Sequence, residues 1–428
     1  MWALILPVSQ GRRRNEGACF LDRGGNAAWR LPEPAGTDAD RRRAAGAAAA
    51  ARPLTLDQIA GLARLAAELG NGIVEVTARG KLQLRGLTPG TAPRLPEAVA
   101  ALGIDVPQGF PVEVGALAGL DPTAHFDPRP LARAISDGAA GLVPRLAPKA
   151  SVVVDGGGLL RLGGLKADIA VGAGAGGRVR ITLAGVPLGE ASAQATGDVV
   201  LALLESLVAR GNAARMPELL AGEGIEPLRR RFGLAAPVPA RDEGVDPVGR
   251  HALLQGTFAL GVGLEFGQVT AATLARLADA AAEAGARHAE PAAGRALLLV
   301  GLTPEAAAGL KVEAASLGFI IDPADPRRRV HACAGQPACA AARIDTHALA
   351  ATLAPLLEGR DLHVSGCPKG CAHPAKAALT IVGLDEGAGL VVEGTPRDVP
   401  ARLVPATRLR EAVQDLLQKD ETLMKDLA

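Results

Sequence analysis

The chain has 428 residues, 48% hydrophobic and 21% charged, enough for several domains and typical of neither a disordered nor a membrane-embedded protein. Its 46 basic and 45 acidic residues leave a formal charge of +1, which excludes a global field for nucleic acid or an anionic membrane, so any anion site must be local. Aromatic residues make up only 2%, with no Tyr, which argues against stacking on single-stranded bases and leaves the core to Ala, Val and Leu.

The N-terminal run MWALILPVSQGRRR reverses the charge order of a secretory signal, and no stretch is long and apolar enough for a transmembrane helix. A cytoplasmic location is expected. From Thr55 the pattern becomes regular. Thr55 reads as the cap of a helix whose apolar positions Ile59, Leu62, Leu65 and Leu69 follow the helical period and end at Gly70. Two strands follow, Ile73 to Val76 and Lys81 to Leu87. The second alternates Lys81, Gln83 and Arg85 against Leu82, Leu84 and Gly86. A helix near Thr91 to Leu102 closes the unit.

This unit recurs. Thr55 to Gly103 aligns without a gap on Thr270 to Gly318 at an offset of 215, with 21 identities in 49 positions, including Gly86-Leu87-Thr88-Pro89 against Gly301-Leu302-Thr303-Pro304. One copy is half of a ferredoxin-like α+β layer with an unfinished sheet edge, and two copies paired about a pseudo-twofold axis would complete it. Between the copies lie a strand in SVVVDGGG (Ser151 to Gly158), an apolar helix Val199 to Arg210, and a Pro-rich charged stretch, Pro237 to Arg250, that reads as a linker. A Cys-bearing segment follows the second copy, and an amphipathic helix near Thr407 to Leu427 ends the chain.

Of five Cys, four fall within 39 positions: Cys333 and Cys339 as C-x5-C, Cys367 and Cys371 as C-x3-C, with 27 residues between the pairs. Four thiolates can hold tetrahedral zinc or a cubane iron-sulfur cluster. The spacings are wider than those of zinc knuckles and suit the larger cluster, with Gly335, Pro337, Gly366, Pro368 and Gly370 keeping the loops tight; zinc and plain buried thiols are the alternatives. Cys19 stands apart in GACFLDRGG as a structural or incidental thiol.

The duplicated chain with this Cys layout at its C-terminal end resembles the nitrite/sulfite reductase superfamily, from about residue 17 to 400. The strings GNGIVEVTARGKLQLRGL, LAGLDP, LAPKASVVVDGGG and HVSGCPKGCAHP are most similar to the precorrin-3B synthases of aerobic cobalamin synthesis. The resemblance implies an α+β, duplicated nitrite/sulfite reductase-like architecture with two ferredoxin-like half-domains and two α/β lobes, the second carrying an iron-sulfur cluster. The expected division is a first half-domain at 17–122, a first α/β lobe at 123–236, a linker at 237–250, a second half-domain at 251–322, a cluster lobe at 323–400 and a C-terminal helix at 401–428.

It also implies a 4Fe-4S cluster on Cys333, Cys339, Cys367 and Cys371, and a tetrapyrrole substrate whose carboxylates meet Arg30, Arg79, Lys81, Gln83, Arg85 and Lys149. The expected activity is an NADH-linked monooxygenase: O2-dependent hydroxylation and γ-lactone formation on precorrin-3A. A mononuclear non-haem iron is implied too, with His331, His363 and His373 as the nearest candidate ligands and His125 and Asp127 next. No G-x-G-x-x-G follows a strand in a βαβ setting, so a separate reductase is the expected electron donor. A siroheme-dependent nitrite or sulfite reductase is the first alternative, and a non-enzymatic iron-sulfur or zinc module the second. Two departures favour the synthase reading over the reductase. The second Lys of the reductase K-x-K pair is Ser151, and Lys369 and Gly370 stand between the last two Cys where the reductases tend to have Asn. In the second copy the positions of Arg79, Lys81, Gln83 and Arg85 are Gly294, Ala296, Leu298 and Val300, with only Arg295 charged, so one copy has the polar face and the other reads as scaffold.

Overall fold

The computed structural model describes residues 53–104, 109–238, 244–339, 341–357, 359–373 and 375–425, together with the strands Gly17–Leu21 and Ala27–Ala28. Arg30 and the Ala/Arg-rich insert at 38–52 lie outside the described residues.

Each half-domain builds as its sequence directs. Helix Leu56–Leu69 begins in a capping box in which the Thr55 side chain accepts from the Gln58 N–H and Gln58 accepts from the Thr55 N–H. Its apolar stripe of Ile59, Leu62, Ala66 and Leu69 is buried. In the second copy Thr270 caps helix Ala271–Glu283 through the Thr273 N–H. The later helix of the second copy, Pro304–Ser316, starts directly at the Thr303-Pro304 cap. Its counterpart in the first copy is delayed to a 3-10 turn, Ala92–Arg94, and a helix, Leu95–Ala101, because Pro93 and Pro96 lack the N–H groups an earlier helix would need.

The two halves interlock by reciprocal pairing. Strand Gln268–Thr270 lies antiparallel to Ile73–Val76 with Val269 opposite Val74, and Leu54 bridges to Ala289. Adding 215 to one pair gives the other, as a pseudo-twofold requires. The axis passes the turns at 78–79 and 293–294, where Arg79 bridges to Ala293 and the Gly294 N–H donates to the Ala78 carbonyl. Helices Leu56–Leu69 and Ala271–Glu283 and the inner faces of both sheets enclose one shared core.

The α/β lobes are also copies. The first sheet runs Val112–Val114, Val152–Val154, Ile169–Ala173, Val179–Leu183, Val186–Ala191; the second runs Val330–Ala332, Leu362–Ser365, Ala377–Leu384, Gly387–Gly394, Arg402–Val404. In both, the first two pairings are parallel and the last two antiparallel. Registers match, with Val112 opposite Val152 and Val330 opposite Leu362, then Val152 opposite Ile169 and Leu362 opposite Leu379. The loop after the first strand ends in a helix N-cap in each, Asp127 and Asp345. One hydrogen bond ties the loops in both lobes: His125 N–H to the Gly156 carbonyl, and Arg343 N–H to the Gly366 carbonyl. Cys333, Cys339, Cys367 and Cys371 therefore correspond to Gly115, Asp121, Gly157 and Arg161.

The stretch between the halves, as far as it is described, is packed: the Val245 N–H donates to the Leu159 carbonyl, Asp246 takes Arg328 at 2.9 Å, and Val248 is buried.

Candidate functional site

The polar face of the first half-domain lies along strand Leu82–Leu87 and its neighbours. Glu75 stands opposite Gln83, and Gln268 opposite Glu75, so both join Lys81, Gln83 and Arg85 on that side. Two carboxylates meet the cations. Glu113 takes a bidentate contact from Arg79, with Nε at 2.9 Å and Nη2 at 2.6 Å, and lies 3.3 Å from Lys81 Nζ; Arg79 Nη1 also donates to the Lys166 carbonyl. Arg85 donates to Glu75, which also accepts from Gln268. Gln83 is 4% exposed and its Oε1 has no hydrogen-bond partner. Lys149 is exposed ahead of strand Val152–Val154. Two residues on, Ser151 engages Asp168 through both its N–H and its hydroxyl, and Asp168 also holds Arg215.

Glu75 and Glu113, which pair with these cations, are not apparent as members of the face from the sequence. Glu75 carried a signal, since it is identical to Glu290 in the repeat; Glu113 carried only its charge within the apolar run Pro111 to Val114.

Pseudo-symmetry shows what this face looks like when closed. In the second copy Ala296, Leu298 and Val300 are buried in one apolar cluster with Leu117, with Leu120 and Leu160 of the same first-lobe loops packed against it. In the second lobe the strand registers place Gly335, Ala338 and Gly370 of the cysteine loops at the positions of these three Leu, and the axis relates the Lys81, Gln83 and Arg85 face to the Ala296, Leu298 and Val300 face. Small residues and polar side chains thus stand where the other copy is filled with aliphatic ones. The fields of the two parts overlap: Glu75 acts on both Arg295 and His347 of the second half.

Two of the four thiols are pushed up in pKa, in part by the thiols beside them. Burial pushes Cys333 up, opposed by N–H groups of Gly366 and Gly335, with Cys339 and Cys367 adding to the rise. Cys371 is raised by burial and then by the other three thiols. The Gly366 N–H points at Cys333 Sγ from 3.1 Å, the kind of donor a cluster thiolate accepts. Among the described residues no three Cys, His, Asp or Glu side chains stand closely enough for a single metal ion. A multi-iron cluster takes its four thiolates from a wider set than tetrahedral zinc, whose sulfurs sit about 2.3 Å from the metal, and uses N–H donors such as that of Gly366. The residues fit the cluster.

They do not fit the expected mononuclear iron. His331 and His373 stack ring on ring at 4.1 Å and 15°, so their lone pairs run side by side, and His363 meets His373 edge-on at 5.8 Å. His125 and Asp127 lie elsewhere, on the first lobe beside a cleft of about 680 Å³. There His125 Nδ1 contacts the Gly157 carbonyl and Asp127 pairs with Arg129. His331 and His363 are instead kept neutral. Burial, then Arg295, pushes His331 down to about 2; burial, then His373 and Arg295, pushes His363 down to about 4. His363 is fully buried, and neither ring nitrogen has a partner.

Arg295 sits at φ +62° where the first copy has Gly80 at +73°, a conformation that disfavours any residue with a Cβ. Its guanidinium donates to the Val330 carbonyl and contacts His331 Nδ1, and burial lowers its pKa to about 10.

The Nitrite/Sulfite reductase ferredoxin-like half domain matches residues 37–102. The chain is 39% identical over 363 residues to a precorrin-3B synthase of Sinorhizobium sp, covering 81% of this chain and 79% of that protein. It is 28% identical to sulfite reductase [ferredoxin] 1 of Mycolicibacterium paratuberculosis, over 45% of this chain and 37% of that one. Its fold superposes on the structure of the Mycobacterium tuberculosis NirA protein with a TM-score of 0.73 at 18% identity, covering 94% of this chain and 80% of the other.

Proposed function

The chain belongs to the precorrin-3B synthase family of the nitrite/sulfite reductase superfamily, and on that premise we propose that it is a cytoplasmic monooxygenase acting on precorrin-3A. The reaction would be O2-dependent hydroxylation with γ-lactone formation, the electrons coming ultimately from NADH through a separate reductase. One observation carries the assignment to this site: the polar face survives in one copy, related by symmetry to a contact that is sealed by Leu in the other.

In this reading Cys333, Cys339, Cys367 and Cys371 would hold a 4Fe-4S cluster, with the Gly366 N–H supporting Cys333. A bound cluster supplies single electrons. The chain's own residues do the rest. Lys81 and Arg85, with Arg79 beside them, hold substrate carboxylates and so orient the macrocycle; Gln83 presents an unpaired carbonyl oxygen to it. Lys149 adds a cation from the first lobe. His331, its Nδ1 turned to Arg295, carries its proton on Nε2 when neutral and offers that N–H as a donor. Ser151, bound to Asp168, supplies no second cation for a small oxyanion, which favours this reading over sulfite reduction.

The deciding measurement is metal and sulfide content with an absorption spectrum of anaerobically purified protein. Iron and sulfide without a siroheme band are expected, and Cys367→Ser should abolish the paramagnetic signal of the reduced cluster. A siroheme band would establish the second reading, a nitrite or sulfite reductase, which the identity to the mycobacterial sulfite reductase favours. An unchanged signal in Cys367→Ser would refute the ligand set.

A further inference from the structure

Arg79 and Lys81 face the same obstacle to binding a substrate carboxylate: both already have one. Glu113 engages Arg79 through Nε and Nη2 and sits 3.3 Å from Lys81 Nζ, while the remaining Arg79 nitrogen, Nη1, donates to the Lys166 carbonyl. Glu113 and Lys166 belong to the first lobe; Arg79 and Lys81 belong to the turn of the first half-domain. The contact therefore spans two units of the fold. The pseudo-twofold provides a comparison. The position of Glu113 in the second lobe is His331, which meets the turn arginine of the other copy, Arg295, as a neutral imidazole. An anion at this strand position occurs only beside the half-domain that has the polar face.

Among the described residues the local charges do not balance: Arg85 pairs with Glu75, whereas Arg79 and Lys81 share the one carboxylate of Glu113. The side chains are partly exposed, Arg79 at 31%, Lys81 at 18% and Glu113 at 13%, so solvent reaches the pair and exchange of one carboxylate for another is open. A small monoanion gains little by competing with a carboxylate that is already tethered in place. A polycarboxylate held elsewhere along the face presents its next carboxylate at high effective concentration and can displace it.

We propose that Glu113 is an internal stand-in for a substrate carboxylate, neutralising Arg79 and Lys81 in the free protein and yielding them to the tetrapyrrole on binding. It makes the site selective for a ligand with several carboxylates and releases the tie between lobe and half-domain when that ligand arrives. The proposal rests on the reading of this face as the tetrapyrrole site.

The probe is uroporphyrin III, a polycarboxylate tetrapyrrole, titrated by fluorescence quenching against the holoprotein, with acetate as the small-anion competitor. Glu113→Gln keeps the shape and loses the charge; it should bind the porphyrin about tenfold tighter than wild type, equivalent to about 1.4 kcal/mol, and should become sensitive to acetate. Glu113→Asp, which keeps the charge on a shorter arm, should fall between them and provides a second variant should the Gln protein fold poorly. Without ligand, Glu113→Gln should melt lower than wild type because two adjacent cations lose their anion, and the porphyrin should raise its melting temperature by more. Equal or weaker binding by both Glu113 variants, with Arg79→Ala plus Lys81→Ala still weakening it, would overturn the proposal and make Glu113 a positioning residue for the cations. Undiminished binding by that double variant would overturn the reading of the face, and the proposal with it.

Discussion

At the scale of single residues, the region beside the cysteines is defined by unmet hydrogen-bonding capacity. His363 is fully buried on strand Leu362–Ser365, registered between His331 and Thr380, and both of its ring nitrogens lack a partner. Its pKa is depressed to about 4, first by burial. A histidine with a lowered folded pKa takes up its proton more readily in the unfolded chain, so its contribution to stability is complete above the unfolded value of about 6.5 and is lost as pH falls toward 4. His331, depressed to about 2, acts in the same direction over a wider range. Cluster-free protein should therefore lose stability between pH 6.5 and 4, by up to about 1.4 kcal/mol per pH unit for each histidine. Denaturant midpoints read at successive pH values should show a shallower slope in His363→Asn than in wild type; an identical slope would mean that this histidine is charged in the fold.

Residue identity and spacing made the four Cys and the basic strand face legible in the sequence. The partners of those residues were not legible. Glu113 lies 34 positions from Arg79 and reaches it only through the packing of a lobe on a half-domain, which no periodicity records. Gln83 was expected beside Lys81 and Arg85 and is there, but its burial depends on what covers the strand.

At the scale of elements, the comparison is between two strands with one history. Leu82–Leu87 has Gln83 where Ala296–Leu302 has Leu298, and both side chains are buried. An unpartnered buried carbonyl oxygen costs about 1–3 kcal/mol, so Gln83→Leu should stabilise the free protein by about 1 kcal/mol while weakening porphyrin binding. The reverse exchange, Leu298→Gln, puts an amide into the aliphatic cluster around Leu117 and should cost about 3 kcal/mol. Thermal melts of the two variants check both signs. A loss of stability in Gln83→Leu would show that the glutamine has a structural partner. The half-domain repeat was readable because its offset stays at 215 over 49 residues. The lobe repeat was not, because its offset changes from 218 to 210 between the two loops and the first lobe has no cysteine in either. Only strand register and the paired loop hydrogen bonds recover it.

For the whole molecule, the two lobes are one loop architecture held together in two ways. In the first lobe Asp121, at the position of Cys339, accepts from the Leu159 N–H of the other loop at 2.5 Å and from Thr123 of its own, fastening loop to loop through a hydrogen bond beside the Leu117 and Leu160 packing. In the second, thiols occupy the corresponding positions, and the proposed cluster would be the fastening. Anaerobic chelation should then increase amide hydrogen exchange at 333–345 and 366–373 while leaving 115–127 and 156–162 unchanged. Equal changes in both lobes would indicate that the cluster stabilises the fold globally.

The reciprocal strand pairing has a consequence for synthesis. While the ribosome is still making the second copy, Ile73–Val76 has no Gln268–Thr270 beside it and Leu54 no Ala289, so the nascent first half emerges without the strand that covers this sheet edge in the finished fold. The chain cannot mature half by half. The earlier-made half would wait, exposed to chaperones and to aggregation, until about two hundred further residues have been added, and a chain truncated before Gln268 should aggregate rather than fold as a smaller unit.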